Sequence, residues 1–429
     1  MDELAAGPIA SSPVPVPVRV SRGFQLLLVT IATTAVAYAR TAVSPLQETM
    51  RIALALSDNQ MAMLQGPALA LPVVLAAIPL GLLIDRYSRV HLLFIFAVLS
   101  TAGSVLTALA SNFALLFAAR CLVGLAATAI STTAFSLLAD LYAPAQRGRA
   151  SMVVVVGQYG GMSAAFALGG ALLAISGAGP DAWRWTMLWL IGPLVPVIFL
   201  MLAMREPART GLVIEKPSAR EICVELWRYR AVIAPLLIGL VMAEVAVLAV
   251  LTWAAPTLSR SFVLSPDRIG AIMAMGLMLS GILGPTVGGI LADLCQRTGG
   301  PRRTMSILSG LALLNVPAGL FAVMPEGASA SVLLVVFMTI GSAMLVTGIA
   351  LFTIVIPNEL RGLCMAALTG AGVLLGLGLA PVAVSLLSGA LGGPAKIGNA
   401  LALVCVVAGL LGTASFALGI RYFSRKAMQ

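Results

Sequence analysis

Twelve apolar stretches, each about as long as a bilayer is thick, follow one another along this chain. They lie at residues 24–46, 59–83, 90–110, 113–138, 150–176, 183–204, 231–256, 268–292, 304–325, 330–356, 364–390 and 398–420. A helix crosses the hydrocarbon core with ~20 residues. The stretches are continuously apolar and rich in Leu, Ala, Val and Gly, without the alternation of a barrel strand. An all-α membrane protein with twelve transmembrane helices is predicted. The scarcity of charge agrees, since 10% of residues are Asp, Glu, Lys or Arg, against ~25% in a soluble domain.

The net charge of +10 would suit a nucleic-acid binder, but its placement excludes that reading. With alternate loops assigned to opposite sides, the side holding the N-terminus collects 19 of the 26 Lys and Arg, the other side 5, and the remaining two, Arg40 and Arg120, fall inside spans. Basic residues accumulate in cytoplasmic loops. Both termini are therefore expected in the cytoplasm, and no nucleic-acid partner is expected. The first 21 residues lack the basic start and cleavage site of a signal peptide, so the first helix is expected to be retained. Cys121, Cys223, Cys295, Cys364 and Cys405 show neither pairing nor metal-ligand spacing and are expected as free thiols.

The longest polar stretch, at 205–230, has six spans on either side. The expected organisation is a flexible cytoplasmic tail (1–22), a six-helix half (23–204), a cytoplasmic linker (205–230), a second six-helix half (231–421) and a C-terminal tail (422–429). Internal similarity supports a duplicated unit. Gly81-Leu-Leu-Ile-Asp85 returns as Gly289-Ile-Leu-Ala-Asp293, 208 residues on, and Arg147-Gly148 returns as Arg361-Gly362, 214 residues on. Parallel six-helix repeats around a central site are one of the recurring plans of secondary transporters.

The motifs themselves resemble the major facilitator superfamily. GLLIDRYSR (Gly81 to Arg89) looks like its loop between helices 2 and 3, AARCLVG (Ala118 to Gly124) like its helix 4 arginine motif, and DLYAPAQRGRA (Asp140 to Ala150) like the loop that follows. The resemblance implies a cytoplasmic conformational gate built from Asp85, Arg86, Arg89, Asp140, Arg147 and Arg149, echoed by Asp293, Glu359 and Arg361 in the second half. It also implies that this network stabilises the outward-facing state, with Asp85 near a helix N-terminus, where the dipole favours negative charge. The bland alternative is a set of ordinary interfacial charges.

Arg40 and Arg120 lie in spans that contain no carboxylate to neutralise them. A charge at mid-bilayer costs ~2.5–3.5 kcal/mol on insertion scales, so such residues usually face a water-filled cavity and mark a ligand path. From the rise per residue, both sit ~9–11 Å inside the outer boundary. In the fold that the motifs resemble, helices 1, 4, 7 and 10 line the central cavity, so the two guanidiniums are candidates to converge on an anion, which their forks suit. Arg120 has a second reading, as a brace between helices through backbone carbonyls. Tyr38 and Thr34, four residues apart on one helix face, Gln158, Tyr159 and Trp253 are further candidates for the cavity wall, each with packing as the alternative. Glu244 is the one carboxylate deep in a span. Burial favours the protonated form of a carboxylate, which makes it a proton-coupling candidate or else a structural partner.

Tyr38 to Gly66 and Arg120 to Tyr142 look like the Spinster lysolipid transporters, and are similar also to the anion:cation symporters of organic acids. Both families typically carry an acid immediately before the helix 1 arginine and a glutamate seven positions after the helix 4 arginine. Here those positions are Ala39 and Ala127. Drug antiporters of the superfamily carry Gly-Pro in helix 5, whereas this chain has GPTVGG (Gly284 to Gly289) in helix 8 and no proline in helix 5.

The expectation is a multi-pass transporter of the plasma membrane, the inner membrane of a bacterium. It moves an anionic organic substrate, a small carboxylate or an amphipathic lysolipid, by alternating access, works as a monomer, and has proton coupling as an open option. A proton-coupled drug or lipid exporter is the alternative, and a receptor on the same fold that binds without flux is a second. With one histidine, no phosphate loop and no metal-ligand cluster, no enzyme activity, metal or cofactor is expected.

Overall fold

The protein is described by a computed structural model covering residues 21–177, 179–207, 219–356 and 358–426. Twelve helical spans long and apolar enough to cross a membrane occur among the described residues. They are α1 (Arg22–Ala53), α2 (Asp58–Arg86), α3 (Arg89–Leu109), α4 (Phe113–Leu141), α5 (Gln146–Ser176), α6 (Ala182–Met201), α7 (Tyr229–Phe262), α8 (Pro266–Thr298), α9 (Gly300–Val323), α10 (Gly327–Val355), α11 (Leu360–Ala390) and α12 (Pro394–Tyr422). No strand is present among those residues. Each span overlaps an apolar stretch read from the sequence, and the chain is an integral multi-pass membrane protein.

The differences lie where polar residues extend a helix. α1 does not stop near residue 46: Pro45 starts a 3-10 turn over Ser44–Leu46, after which the helix resumes as Gln47–Ala53. The second part of the expected linker is helical too. The helix that becomes α7 starts at Ala219, in a run with no Gly or Pro before Pro235 and so nothing to interrupt it. Residues 208–218 lie outside the described residues.

Prolines inside α2, α7 and α8 (Pro72, Pro79, Pro235, Pro256 and Pro285) are accommodated without ending the helices, as membrane helices allow when neighbours satisfy the freed carbonyls. Small residues set the closest approaches between helices. On α5 and α8, Gly170 and Gly270 face each other so closely that a Cβ on Gly170 would lie 2.9 Å from Gly270 Cα. In α11 the regular ladder gives way to a π-helical segment over Gly372–Leu379, the kind of irregularity often found at functional positions.

The internal duplication shows in matched hydrogen bonds. Arg147 donates to the carbonyls of Ala139 and Tyr142, at the end of α4. Arg361 donates to those of Thr353 and Ile356, at the end of α10. Donors and acceptors are all separated by the same 214 residues. Each arginine occupies the C-terminal carbonyls of the preceding helix, where a cation is favoured.

Candidate functional site

A cavity of about 570 Å³ lies between α1, α2, α4, α5 and α11, within the usual range for a small-molecule site. Its wall is mostly apolar, with Val36, Leu69, Val73, Phe135, Met365 and Leu377, and carries Thr33, Thr128, Ser131, Thr132, Thr369 and Gln158 as polar points. Among the described residues Arg40 is the only charged side chain in that wall. A second chamber of about 50 Å³ adjoins it, and Arg40 lines this one as well. Among the described residues the Arg40 guanidinium has no ion-pair partner.

Arg120 takes a different place from the one that convergence on a shared anion would require. It is 1% exposed, and its guanidinium donates to the backbone carbonyls of Arg40 (2.8 Å) and Leu64 (3.4 Å) and to Gln65 Oε1 (3.1 Å). It braces α4 against α1 and α2, and lines neither the cavity nor the chamber. The carbonyls it reaches lie at the ends of helical segments of α1 and α2, where the helices leave them available. Ala127 forms part of the cavity wall and Ala39 is buried, so no carboxylate stands where the resembling families have one.

The other expected wall residues divide. Gln158 lines the cavity. Trp253 does not: it is fully buried and its indole N–H donates to the Pro381 carbonyl at 2.9 Å, tying α7 to α11. Tyr38 is buried, its hydroxyl has no hydrogen-bond partner among the described residues, and it is absent from the wall. Thr34 packs against Gly157 and Gly161 of α5, so the Tyr38 and Thr34 face is a helix contact. Tyr159 packs on Gly281 of α8, in the electrostatic range of both Arg40 and Glu244.

Glu244 is half-buried, and its carboxylate rests on α11 at Gly372, where any Cβ would coincide with its Oε2. The glycine is required by this contact. Glu244 is not in the wall of the large cavity, but Val373, next to Gly372, is. Among the described residues no hydrogen bond or ion pair reaches the carboxylate.

The cavity runs from Arg40 toward the end of the molecule that carries the basic loops, where Phe135 is 41% exposed. The opposite end is closed by a cluster that the sequence did not suggest. Ser57 caps the start of α2 with a capping box, which places Asp58 in its first turn. There Arg260 of α7 grips Asp58 with two bonds of 2.8 Å and Glu48 at 2.7 and 2.9 Å. Arg51 holds the other Glu48 oxygen at 2.7 Å. The paired geometry is the strong form of arginine–carboxylate contact, and it joins residues more than 200 positions apart. Ser385 of α11 adds a hydrogen bond to Asn59.

At the basic end Arg89 is 3% exposed and pairs with Asp140 and with Glu206. Glu206 also accepts from Ser88 Oγ and the Val90 amide. Burial pushes the Glu206 carboxyl up, but the bonds from Arg89, Val90 and Ser88 outweigh it and hold the group below its ordinary value. Arg147 and Arg361 are helix caps. Asp85 and Arg86 form the last turn of α2, so the helix N-terminus expected beside Asp85 is not that of its own helix. Arg149 and Asp293 are exposed, and the Glu359 side chain lies outside the described residues. Cys121, Cys295, Cys364 and Cys405 are free thiols, and the Cys223 side chain is likewise outside.

The arrangement is that of a membrane transporter. The profile of the Major Facilitator Superfamily matches residues 29–376, and the chain belongs to that superfamily. Among solved structures, a bacterial homolog of the human lysosomal transporter Spinster, in an inward-facing and unoccupied conformation, has a TM-score of 0.79 at 21% identity over 94% of this chain and 98% of its own. The nucleoside transporter NupG has a TM-score of 0.71 at 12% identity, covering 92% and 100%. Among curated proteins, the quinolone resistance protein NorB of Staphylococcus aureus (strain JH9) is 29% identical over 127 residues, which are 30% of this chain. That match spans 26% of the relative's length.

Proposed function

We propose that this transporter moves an anionic organic substrate by alternating access, with Arg40 as the residue that holds the anionic group. The observation that carries the reading is the isolation of Arg40: it is the one charge in the wall of the large cavity and has no carboxylate partner among the described residues. A guanidinium held in an apolar setting without a counter-ion is a site for carboxylate or phosphate. The apolar wall from Val36 to Leu377 suits an amphipathic anion, such as a lysolipid, better than a small carboxylate. Thr128, Ser131, Thr132 and Gln158 offer hydrogen bonds along the way.

By the positive-inside rule the basic end is cytoplasmic, which puts both termini and the 205–230 linker inside the cell and the Arg260 cluster outside. The cavity then opens inward, and the ion pairs to Glu48 and Asp58 form the outer gate. Substrate drives the exchange of states only through its differential affinity for them. Proton coupling, if present, runs through Glu244. The expected location is a bacterial inner membrane.

Flux in proteoliposomes tests the reading. Wild-type protein is expected to move a lysophospholipid or an organic acid, and Arg40→Ala to lose that flux while remaining folded. Equal flux in the two proteins would remove Arg40 from the site. The likeness to NorB favours a second reading, drug export. It predicts that the protein moves drugs and that this transport persists in Arg40→Ala.

A further inference from the structure

The small chamber on the far side of Arg40 is a separate feature with its own chemistry. It holds about 50 Å³, room for an ion with a water or two and too little for an organic substrate. It lies between the large cavity and the Arg260 cluster, walled by Arg40, Thr41, Ser44, Gln65 and Thr252, with Phe166 on an apolar side. Among the described residues Arg40, Thr41 and Ser44 keep donors to offer, whereas Thr252 is left an acceptor only. The Arg40 guanidinium has no ion-pair partner among the described residues. Ser44 Oγ accepts from Gln65 Nε2 at 3.1 Å, so its own proton is free. Gln65 Oε1 is already occupied by Arg120. Thr252 spends its proton on the Leu248 carbonyl. No carboxylate faces the chamber.

The electrostatics point the same way. Arg120 lies behind Arg40, bonded to its backbone carbonyl, and the two charges act on each other. Arg120 Nη1 is buried and has no hydrogen-bond partner among the described residues. Two guanidiniums share this part of the membrane and, among the described residues, neither has an ion-pair partner; Glu244, one helical turn from Leu248 of the chamber wall, pairs with neither, so a positive potential remains.

We propose that this chamber binds a small inorganic anion, a halide, held by the Arg40 guanidinium and the hydroxyls of Thr41 and Ser44. The ion is a counter-charge for the arginine pair and is distinct from the organic substrate, which reaches Arg40 from the large cavity. Its site persists only while α1, α2, α5 and α7 remain together, so the halide stabilises the state in which the Arg260 cluster is closed.

Gluconate, itself a carboxylate but too bulky for a chamber of about 50 Å³, is the reference anion, and the bromide position and the Thr41→Val midpoint report on the chamber separately from the flux measurement. Purified full-length protein is melted in sodium chloride and in sodium gluconate at equal ionic strength and pH, and crystals are soaked in bromide. A saturable rise in Tm with chloride over gluconate is expected, with a bromide anomalous peak between Arg40 and Ser44. Thr41→Val, which keeps the shape but removes one donor, is expected to weaken the halide midpoint roughly tenfold, and its melting in gluconate reports whether it folds. Equal melting of the wild type in the two salts, a chamber without bromide, or an unchanged midpoint in folded Thr41→Val would each overturn the assignment.

Discussion

Arg120 Nη2 donates to the backbone carbonyl of Arg40 across 2.8 Å, so the two intramembrane arginines are linked through main chain while their guanidiniums take separate tasks. Arg120 spends its Nε and Nη2 donors on Arg40, Leu64 and Gln65. Arg40 keeps its own for the cavity. The two substitutions are therefore expected to fail differently. Arg120→Ala leaves buried carbonyls unpaired and is expected to cost ~2–4 kcal/mol, from two or three charge-assisted bonds. Arg40→Ala is expected to stay within ~1 kcal/mol of wild type but lose transport. Thermal melting beside flux checks this, and equal stability of the two variants would contradict it.

The outer gate is expected to depend on Arg260. Its partners Glu48 and Asp58 come from the other half of the chain, and the side chains are only 8–20% exposed. Arg260→Ala is expected to weaken closure by about 1–3 kcal/mol, allowing for the residual exposure. Spin labels at exposed Ile52 and Leu391, read by pulsed distance measurement, should then show a longer distance population. An unchanged distribution would make the cluster incidental to closure.

At the opposite end, pH is expected to act through Glu206. Its folded value lies below the ordinary 4.5, so its contribution to stability is present above the unfolded value and is lost as pH falls through the folded one. Stability should therefore decline below about pH 4.5 in the wild type. Glu206→Gln should show a shallower decline over that range and a lower Tm at neutral pH. Parallel pH profiles of Tm for the two proteins would contradict this.

Gly372 and Glu244 form a further pair that can be tested. Because a Cβ on residue 372 would fall on the carboxylate, Gly372→Ala must displace the Glu244 side chain or push α7 from α11. If Glu244 carries the coupled proton, Glu244→Gln flattens the pH dependence of flux and Gly372→Ala alters it. A pH profile indifferent to both changes would return the residue to a packing role.

Much of this fold was legible in the sequence because the bilayer imposes length and polarity on every span. The repeat was legible as well, since Arg147 and Arg361 keep both their spacing and the carbonyls they cap. Arg40 stood out for the same reason: a charge in an apolar run has few places to go. The outer gate was not legible. Arg260 lies 212 residues from Glu48 and 202 from Asp58, and each looks locally like an ordinary loop charge. Their pairing follows from how the two halves meet. Nor does any local signal separate Trp253 as a packing residue from a cavity residue, because helix rotation decides it. The same holds for Arg120, whose brace depends on which carbonyls α1 and α2 turn toward it. Nothing in the Gly-rich run of α11 announces a π-helical segment at Gly372.

Arg40 is proposed to hold the anion. Binding to purified protein tests it most directly: a thermal-shift titration with lysophospholipids, organic acids and cationic drugs, run in parallel on wild type and Arg40→Ala. Saturable stabilisation by one anionic class, lost in Arg40→Ala, is the expected result. Stabilisation by the cations, or by anions equally in both proteins, would contradict it.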